Sequence, residues 1–135
     1  MKLLTTSIRD QLLRNGRQRA ALDQAGEDDP DFVPVVKLFT PDAGCTWLLT
    51  ELDPDDPDIA FGLCDLGMGC PELGSVLISE LESVRGRLGL PVERDLHFRA
   101  EYPISVYARA AWNAAAITER PQELAAAAQA AGDAP

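Results

Sequence analysis

VPVVKLFTPDAGCTWLLTELDPDDPDIAFGLC, residues 33–64, holds three apolar runs separated by segments rich in turn formers. Val33, Val35, Lys37 and Phe39 alternate with Pro34, Val36 and Leu38, the period of two that defines a strand. Pro34 has no amide donor, which favours an edge position or a strand end. Thr40 to Gly44 is turn chemistry. From Thr46 to Leu52 the alternation resumes, predicting Trp47, Leu49 and Glu51 on one face and Leu48, Thr50 and Leu52 on the other. Asp53-Pro54-Asp55-Asp56-Pro57-Asp58 makes the second connection, and Ile59 to Cys64 is a third strand. Brief loops between successive strands predict an antiparallel meander.

Outward from this block the pattern becomes mixed. Asp65 to Gly74, with three glycines and Pro71, reads as a loop, and Val76 to Ile78 as a fourth strand. Ser79 with Glu82 three residues later has capping-box spacing, predicting a helix that Gly86 stops. After the Gly89-Leu90-Pro91 bend, Asp95 to Arg99 reads as a fifth strand carrying Leu96 and Phe98. Upstream, Thr6 or Ser7 caps a first helix with Ile8 and Leu12 on one face and Gly16 as its stop; Gln18 to Gln24 adds a further turn or two. Gly26 to Asp31 is a linker by composition. Beyond Pro103, Ile104, Tyr107 and Ala111 fall at helical spacing, with Trp112 beside them. Pro121 then breaks or restarts the helix, and Gln122 to Ala131 is an alanine tract with few groups that could hold it to a core.

The expected architecture is therefore α+β: a small antiparallel sheet of four to five strands, a short N-terminal helix, a short helix near 79–85 and a C-terminal helix. One domain over 1–118, followed by an alanine-rich helical or frayed tail over 119–135, suits a chain of 135 residues. The 46% hydrophobic content overstates the core, because fourteen of nineteen alanines lie after residue 99. Packing is expected from the apolar residues of 32–39, 47–49, 59–63 and 76–81, with Leu96 and Phe98. Three cysteines, Cys45, Cys64 and Cys70, match no secreted disulfide framework, and the opening residues lack the apolar run of a signal peptide. These features lead to the expectation of a soluble cytoplasmic protein.

Charge is the property that speaks most directly about partners. Between Glu27 and Glu82 there are fourteen acidic residues and one base, Lys37, a charge of -13 against a total of -10, so the remaining residues sum to +3. Nucleic acid and anionic membranes are thereby disfavoured as direct partners, and a basic protein surface is favoured. The candidate partner-binding residues are Asp28, Asp29 and Asp31 in the first acidic loop and Glu51, Asp53, Asp55, Asp56 and Asp58 around the second. The aspartate-rich turn is not a calcium loop, since prolines at 54 and 57 break the required spacing and no glycine follows before Gly62. His97 and the three cysteines lack a Cys-x-x-Cys pair, so zinc is not indicated. Neither a nucleophile elbow nor a phosphate-binding glycine loop is present, and no cofactor is expected. A second polar cluster, Glu80, Arg85, Glu93, Arg94 and Asp95 with Glu82, flanks the 86–91 bend. It reads either as an ion-pair and capping network or as the carboxylates of a small enzyme or ligand-binding domain.

Several short blocks, taken in order, resemble a known family. They are Lys2-Leu3-Leu4-Thr5, Phe39-Thr40-Pro41, Thr46-Trp47, Thr50-Glu51 with Asp53-Pro54, Phe61-Gly62-Leu63, Glu72-Leu73-Gly74 and Glu80-Leu81-Glu82. The most specific is the last, Arg85-Gly86 with Gly89-Leu90-Pro91-Val92-Glu93-Arg94-Asp95 and Phe98. Over roughly residues 1–100 the chain resembles the bacterial domain of unknown function 2958. The Arg14 to Asp29 stretch and the part beyond Tyr102 lie outside the resembling blocks. The resemblance implies a small cytoplasmic protein of plasmids and other mobile elements, with no established activity. It gives weight to accessory roles such as anti-restriction, in which an acidic protein occupies a basic nucleic-acid-binding surface. A structural accessory subunit, its acidity serving solubility, is the remaining expectation.

Overall fold

A computed structural model describes residues 2–132. Helix α1 (Thr6–Gln24) precedes strands β1 (Val36–Phe39), β2 (Thr46–Leu52), β3 (Ile59–Asp65) and β4 (Glu72–Leu77). Helix α2 (Ile78–Ser83), strand β5 (Glu93–Arg94) and helices α3 (Ile104–Ala114) and α4 (Pro121–Gly132) follow. The sheet order is β4-β3-β2-β1-β5 with every pairing antiparallel, so the expected meander is present and β5 joins it beside β1. The architecture is α+β, as the alternating runs predicted.

The sheet lies between two helical layers. On one face, Leu12 of α1 and Ile78 and Leu81 of α2 pack on Val36, Leu38, Trp47, Leu49, Leu52 and Ala60. On the other, Leu48 and Leu63 pack with Phe98 and the α3 residues Ile104, Tyr107 and Ala111. Strand β2 is central and covered on both sides, with Leu48, Leu49 and Leu52 fully buried. Each such leucine contributes about 1.5–3 kcal/mol of transfer free energy. Leu49 pairs with Gly62 and Glu51 with Phe61, so Thr50 is an extra residue, a bulge. The bulge changes the predicted faces: Leu52 joins Trp47 and Leu49 in the α1-side core rather than lying opposite them.

Helix α1 is not short, and Gly16 does not stop it. The helix runs nineteen residues, capped by Thr5, whose Oγ1 accepts the Ile8 amide at 3.1 Å, rather than by Thr6 or Ser7. Gly16 instead allows a close approach, because a Cβ there would stand 1.8 Å from the Leu52 carbonyl oxygen. Strand β1 pairs with β2 only as far as Val36 opposite Leu49, and α1 takes over where it ends. There Asn15 Nδ2 donates to the Thr50 carbonyl at 2.8 Å.

Other boundaries move for local reasons. Ser79 is not the α2 cap; the cap position is Leu77, and Ser79 is bound from outside by Asp58. Gly86 lies beyond the end of α2 and leaves room for Asp42, whose Oδ2 accepts the Leu88 and Leu90 amides at 2.6 and 3.3 Å. Strand β4 begins at Glu72, inside the predicted loop, and Ile78 belongs to α2. The fifth strand is Glu93–Arg94 rather than Asp95 to Arg99, because Asp95 Oδ1 accepts the His97 amide at 2.8 Å and turns the chain. Leu96 is consequently 65% exposed, while Phe98 is buried. The alanine tract forms α4, and Leu124 and Ala127 attach it to the α3-side core. Residues 133–135, the end of the expected tail, lie outside the described residues.

The Gly16 contact is testable. Alanine is the better helix former by about 1 kcal/mol. Against that, Gly16→Ala drives a methyl group into a backbone carbonyl that cannot turn aside, and overpacking of this kind costs about 1–3 kcal/mol. A lowered urea midpoint is therefore expected for Gly16→Ala. Gly74→Ala, where a Cβ meets nothing within 4 Å, should leave the midpoint nearly unchanged.

Candidate functional site

Helix α1 presents Leu12, Asn15, Gly16, Arg19, Ala20 and Asp23 at three- and four-residue spacing, one continuous stripe. The first three secure the helix to the sheet, which delivers Arg19 to the end of β2. There Arg19 Nε lies 2.7 Å from Glu51, Nη1 lies 3.3 Å from Asp29, and the guanidinium carbon stands 5.2 Å from the Phe61 ring centroid. One guanidinium thus gathers a carboxylate from β2, a carboxylate from the linker and an aromatic face.

Arg19, Glu51 and Phe61 line a cleft of about 330 Å³. Its floor is Phe61, Ser75 and Ile59; its walls are Gly16, Arg19, Ala20 and Asp23 from α1, Glu51 from β2, and Asp53, Pro54 and Asp55 from the second acidic loop. Glu51, Phe61 and Ser75 are cross-strand neighbours on one face. By the two-residue period, Leu63 shares that face, and Leu63 belongs to the core under α3. The cleft is therefore the part of the α3-side face that the helices leave uncovered.

Its electrostatics follow from one base among four lining carboxylates. Burial pushes the Glu51 carboxyl above the ordinary range, and Arg19 only partly offsets this. Asp23 is also raised, chiefly by its side-chain hydrogen bond with Asp29. Asp53 Oδ1 accepts the Asp55 amide at 2.8 Å, fixing the loop at the rim. The surface offers acceptors and negative charge, and its single cation is already engaged, so it suits a guanidinium or ammonium group.

The predicted acidic residues are placed unequally. Asp29 and Glu51 meet at Arg19, and Asp53 and Asp55 form the rim of the same cleft. Asp28 and Asp55 are exposed, and their carboxylates take part in no described hydrogen bond. Asp31 instead binds the Ser105 amide at 3.0 Å, and its hydroxyl as well, at the start of α3. Asp56 accepts the Asp58 amide at 3.3 Å. Asp58 binds the Ser79 amide and hydroxyl at 2.8 and 2.6 Å, and the hydroxyl and amide bonds hold its carboxyl below the ordinary range. Lys37, the only base of the acidic middle, lies 2.5 Å from Glu119 and 3.4 Å from Asp95. Burial lowers the Lys37 pKa, but the two carboxylates outweigh it and the net shift is upward.

The second polar cluster is not brought together. Arg85 donates to the carbonyls of Glu82 and Val84, and Arg94 to those of Lys2 and Leu3. Asp95 faces Lys37, while Glu80 and Glu93 are exposed on α2 and β5. No ion pair joins two members of the cluster among the described residues. Nor is any described group of three or more His, Cys, Asp or Glu side chains placed to hold a metal ion. Among the described residues, no helix is long and apolar enough to cross a membrane. The sequence offers Arg9, Arg14, Arg17 and Arg19 as a basic patch, read either as a solvated face or as folding back onto the acidic middle, and Arg19 does fold back; Asp23, Phe61 and Ser75 were not anticipated at the site. The stripe from Leu12 to Asp23 was the available signal, and reading Gly16 as a stop concealed it.

Arg19→Ala leaves Glu51, with a side chain 6% exposed, without its counter-charge. Breaking such a pair costs about 3 kcal/mol, toward the lower end of the range because Arg19 is itself partly solvated. The sign with pH is fixed: a carboxyl whose folded pKa is raised penalises folding when ionised, and the penalty disappears as pH falls through the folded pKa. The stability deficit of Arg19→Ala should accordingly narrow on acidification toward the ordinary glutamate value of 4.5. Arg19→Met with Glu51→Gln should recover most of it at neutral pH, as read by chemical denaturation across pH.

Comparison with known proteins adds the family. No curated protein and no solved structure matches the chain. The family model described as "Protein of unknown function (DUF2958)" matches residues 3–118, a span that extends past the resembling blocks and includes the Arg14 to Asp29 stretch. The chain, with its α1 stripe and its acidic cleft inside the matched span, belongs to the DUF2958 family.

Proposed function

We propose that the protein is a non-enzymatic acidic interaction module, whose partner is a basic protein surface received at the acidic end of the sheet. One observation carries this reading: Asp29 of the first acidic loop and Glu51 at the end of β2 meet at Arg19, and Arg19 and Glu51 line one cleft with Asp53 and Asp55 of the second loop. Asp55 remains at the cleft as an exposed carboxylate, and Glu27 and Asp28, next to Asp29 in the chain, are exposed as well. A basic surface of the kind that binds nucleic acid offers the complementary charge. In this reading the biological setting is a mobile element, and the role is inhibition of a host defence protein such as a restriction factor. The enzyme reading lacks comparable support, because the members of its cluster are dispersed and its arginines bind backbone carbonyls.

Affinity capture from a bacterial lysate tests this, comparing the wild-type chain with Glu27→Gln/Asp28→Asn/Asp55→Asn. These residues were chosen because their side chains hold no described turn or cap. The expected result is a basic protein retained by the wild type, lost with the triple variant, and released by moderate salt or by added duplex DNA. Identical captured proteins for both chains, or retention unaffected by salt and duplex, would remove the acidic end as the recognition element.

A further inference from the structure

The two edges of the sheet are finished differently. At the β5 edge, Arg94 Nη1 bridges the carbonyls of Lys2 and Leu3 at 3.3 and 2.6 Å, and the strand has only two residues. Strand β4, at the other edge, has six residues in unbroken register with β3, and its outer side receives no hydrogen bond from the described residues. Proteins normally blunt such an edge with lysine, proline, a bulge or brevity. Glu72-Leu73-Gly74-Ser75-Val76-Leu77 carries one charge, Glu72 at its start after Pro71, and from Leu73 to Leu77 has no charge, proline or bulge. Leu73 and Leu77 are 39% and 41% exposed, and nothing lies within 4 Å of a Cβ built on Gly74. Trp112, itself exposed, donates to the Pro71 carbonyl at 2.9 Å and fixes the start of the strand.

We propose that β4 is a docking edge for an extended basic segment of the partner, which adds to the sheet as a sixth strand. Main-chain pairing supplies affinity in this mode, and alternate side chains supply specificity. Charge selects the occupant. Ser75 of β4 lines the same cleft as Asp23, Glu51, Asp53 and Asp55, so a long basic side chain placed beside Ser75 on an added strand reaches toward a cleft whose four lining carboxylates outnumber its one base, Arg19, while exposed Leu73 and Leu77 on the same face meet its neighbours. A second copy of this chain, with a net charge of -10, would instead set like charges against each other. The inference rests on the acidic end being the partner site and specifies how that partner is held.

The full-length chain should be titrated at low salt with three labelled octapeptides: alternating arginine and threonine, the same sequence with every backbone amide N-methylated, and alternating glutamate and threonine. Fluorescence anisotropy reads binding, and amide hydrogen exchange reads residues 72–77. The first peptide should bind and slow β4 exchange, the second should bind about tenfold more weakly or worse for want of main-chain hydrogen bonds, and the third should not bind. Equal binding of both basic peptides with unchanged β4 exchange overturns strand addition while leaving the acidic-end reading intact. Slow β4 exchange without peptide, together with a doubled mass in sedimentation, makes a second copy the occupant and also overturns it. If neither basic peptide binds, both readings fall.

Discussion

The contact between α1 and the end of β2 organises the molecule. A helix backbone can lie against a strand carbonyl only where a side chain is missing, and Gly16 supplies that absence opposite Leu52. Asn15 adds a buried hydrogen bond to Thr50, at the bulge where β2 has lost its β1 neighbour. Satisfying an otherwise unpaired strand carbonyl with a side-chain amide lets the helix take the place of a strand. The remaining features depend on that substitution: α1 continues past the sheet edge, Arg19 reaches the opposite face, and the linker after α1 comes back within reach of it.

About half of the described carboxylates in this acidic chain have structural partners. Asp31 and Asp58 bind serines at the starts of α3 and α2, Asp42 supports the 86–90 turn, and Asp53 fixes its own loop. Asp65 does the same inside the fold, accepting the Gly67 and Ile117 amides at 2.8 and 2.9 Å. A short carboxylate is an effective acceptor for otherwise unpaired amides, which explains part of the aspartate content without any partner. What is left over is smaller than the raw charge suggests: Asp55 stands at the cleft and Glu27 and Asp28 in the first acidic loop, while Glu72, Glu80, Glu82 and Glu93 lie elsewhere on the surface. Such a residue of charge acts mainly on encounter rate and partner choice.

Much of the fold was legible in residues 33–64, because a period of two bounded by proline and aspartate admits few other readings. The errors were local. Thr50 lay inside a regular alternation, and a bulge has no signature there when the extra residue is as suited to a strand as its neighbours. Gly16 had the composition of a helix stop, yet its role came from a carbonyl on a strand more than thirty residues away. Asp95 ended a strand by bonding the amide of His97, a choice between turn and ladder that short polar side chains leave open. Of the candidate site, the acids and an arginine patch that includes Arg19 were visible in the sequence, but which arginine meets them, and the Phe61 ring beside it, were not.

The sequence alone determined composition-level properties and local periodicity: a chain of net charge -10 and a meander of apolar strands with helical flanks. These follow from the residues and their immediate neighbours. Only the tertiary structure decided which carboxylates are satisfied and which stand free, because that depends on groups brought together across the fold: Arg19 with Asp29 and Glu51, Ser105 with Asp31, Ser79 with Asp58. It also decided that β4 is left open while β5 is closed by the N-terminal segment. Strand order is a long-range property, and the period of a single strand does not encode its neighbours.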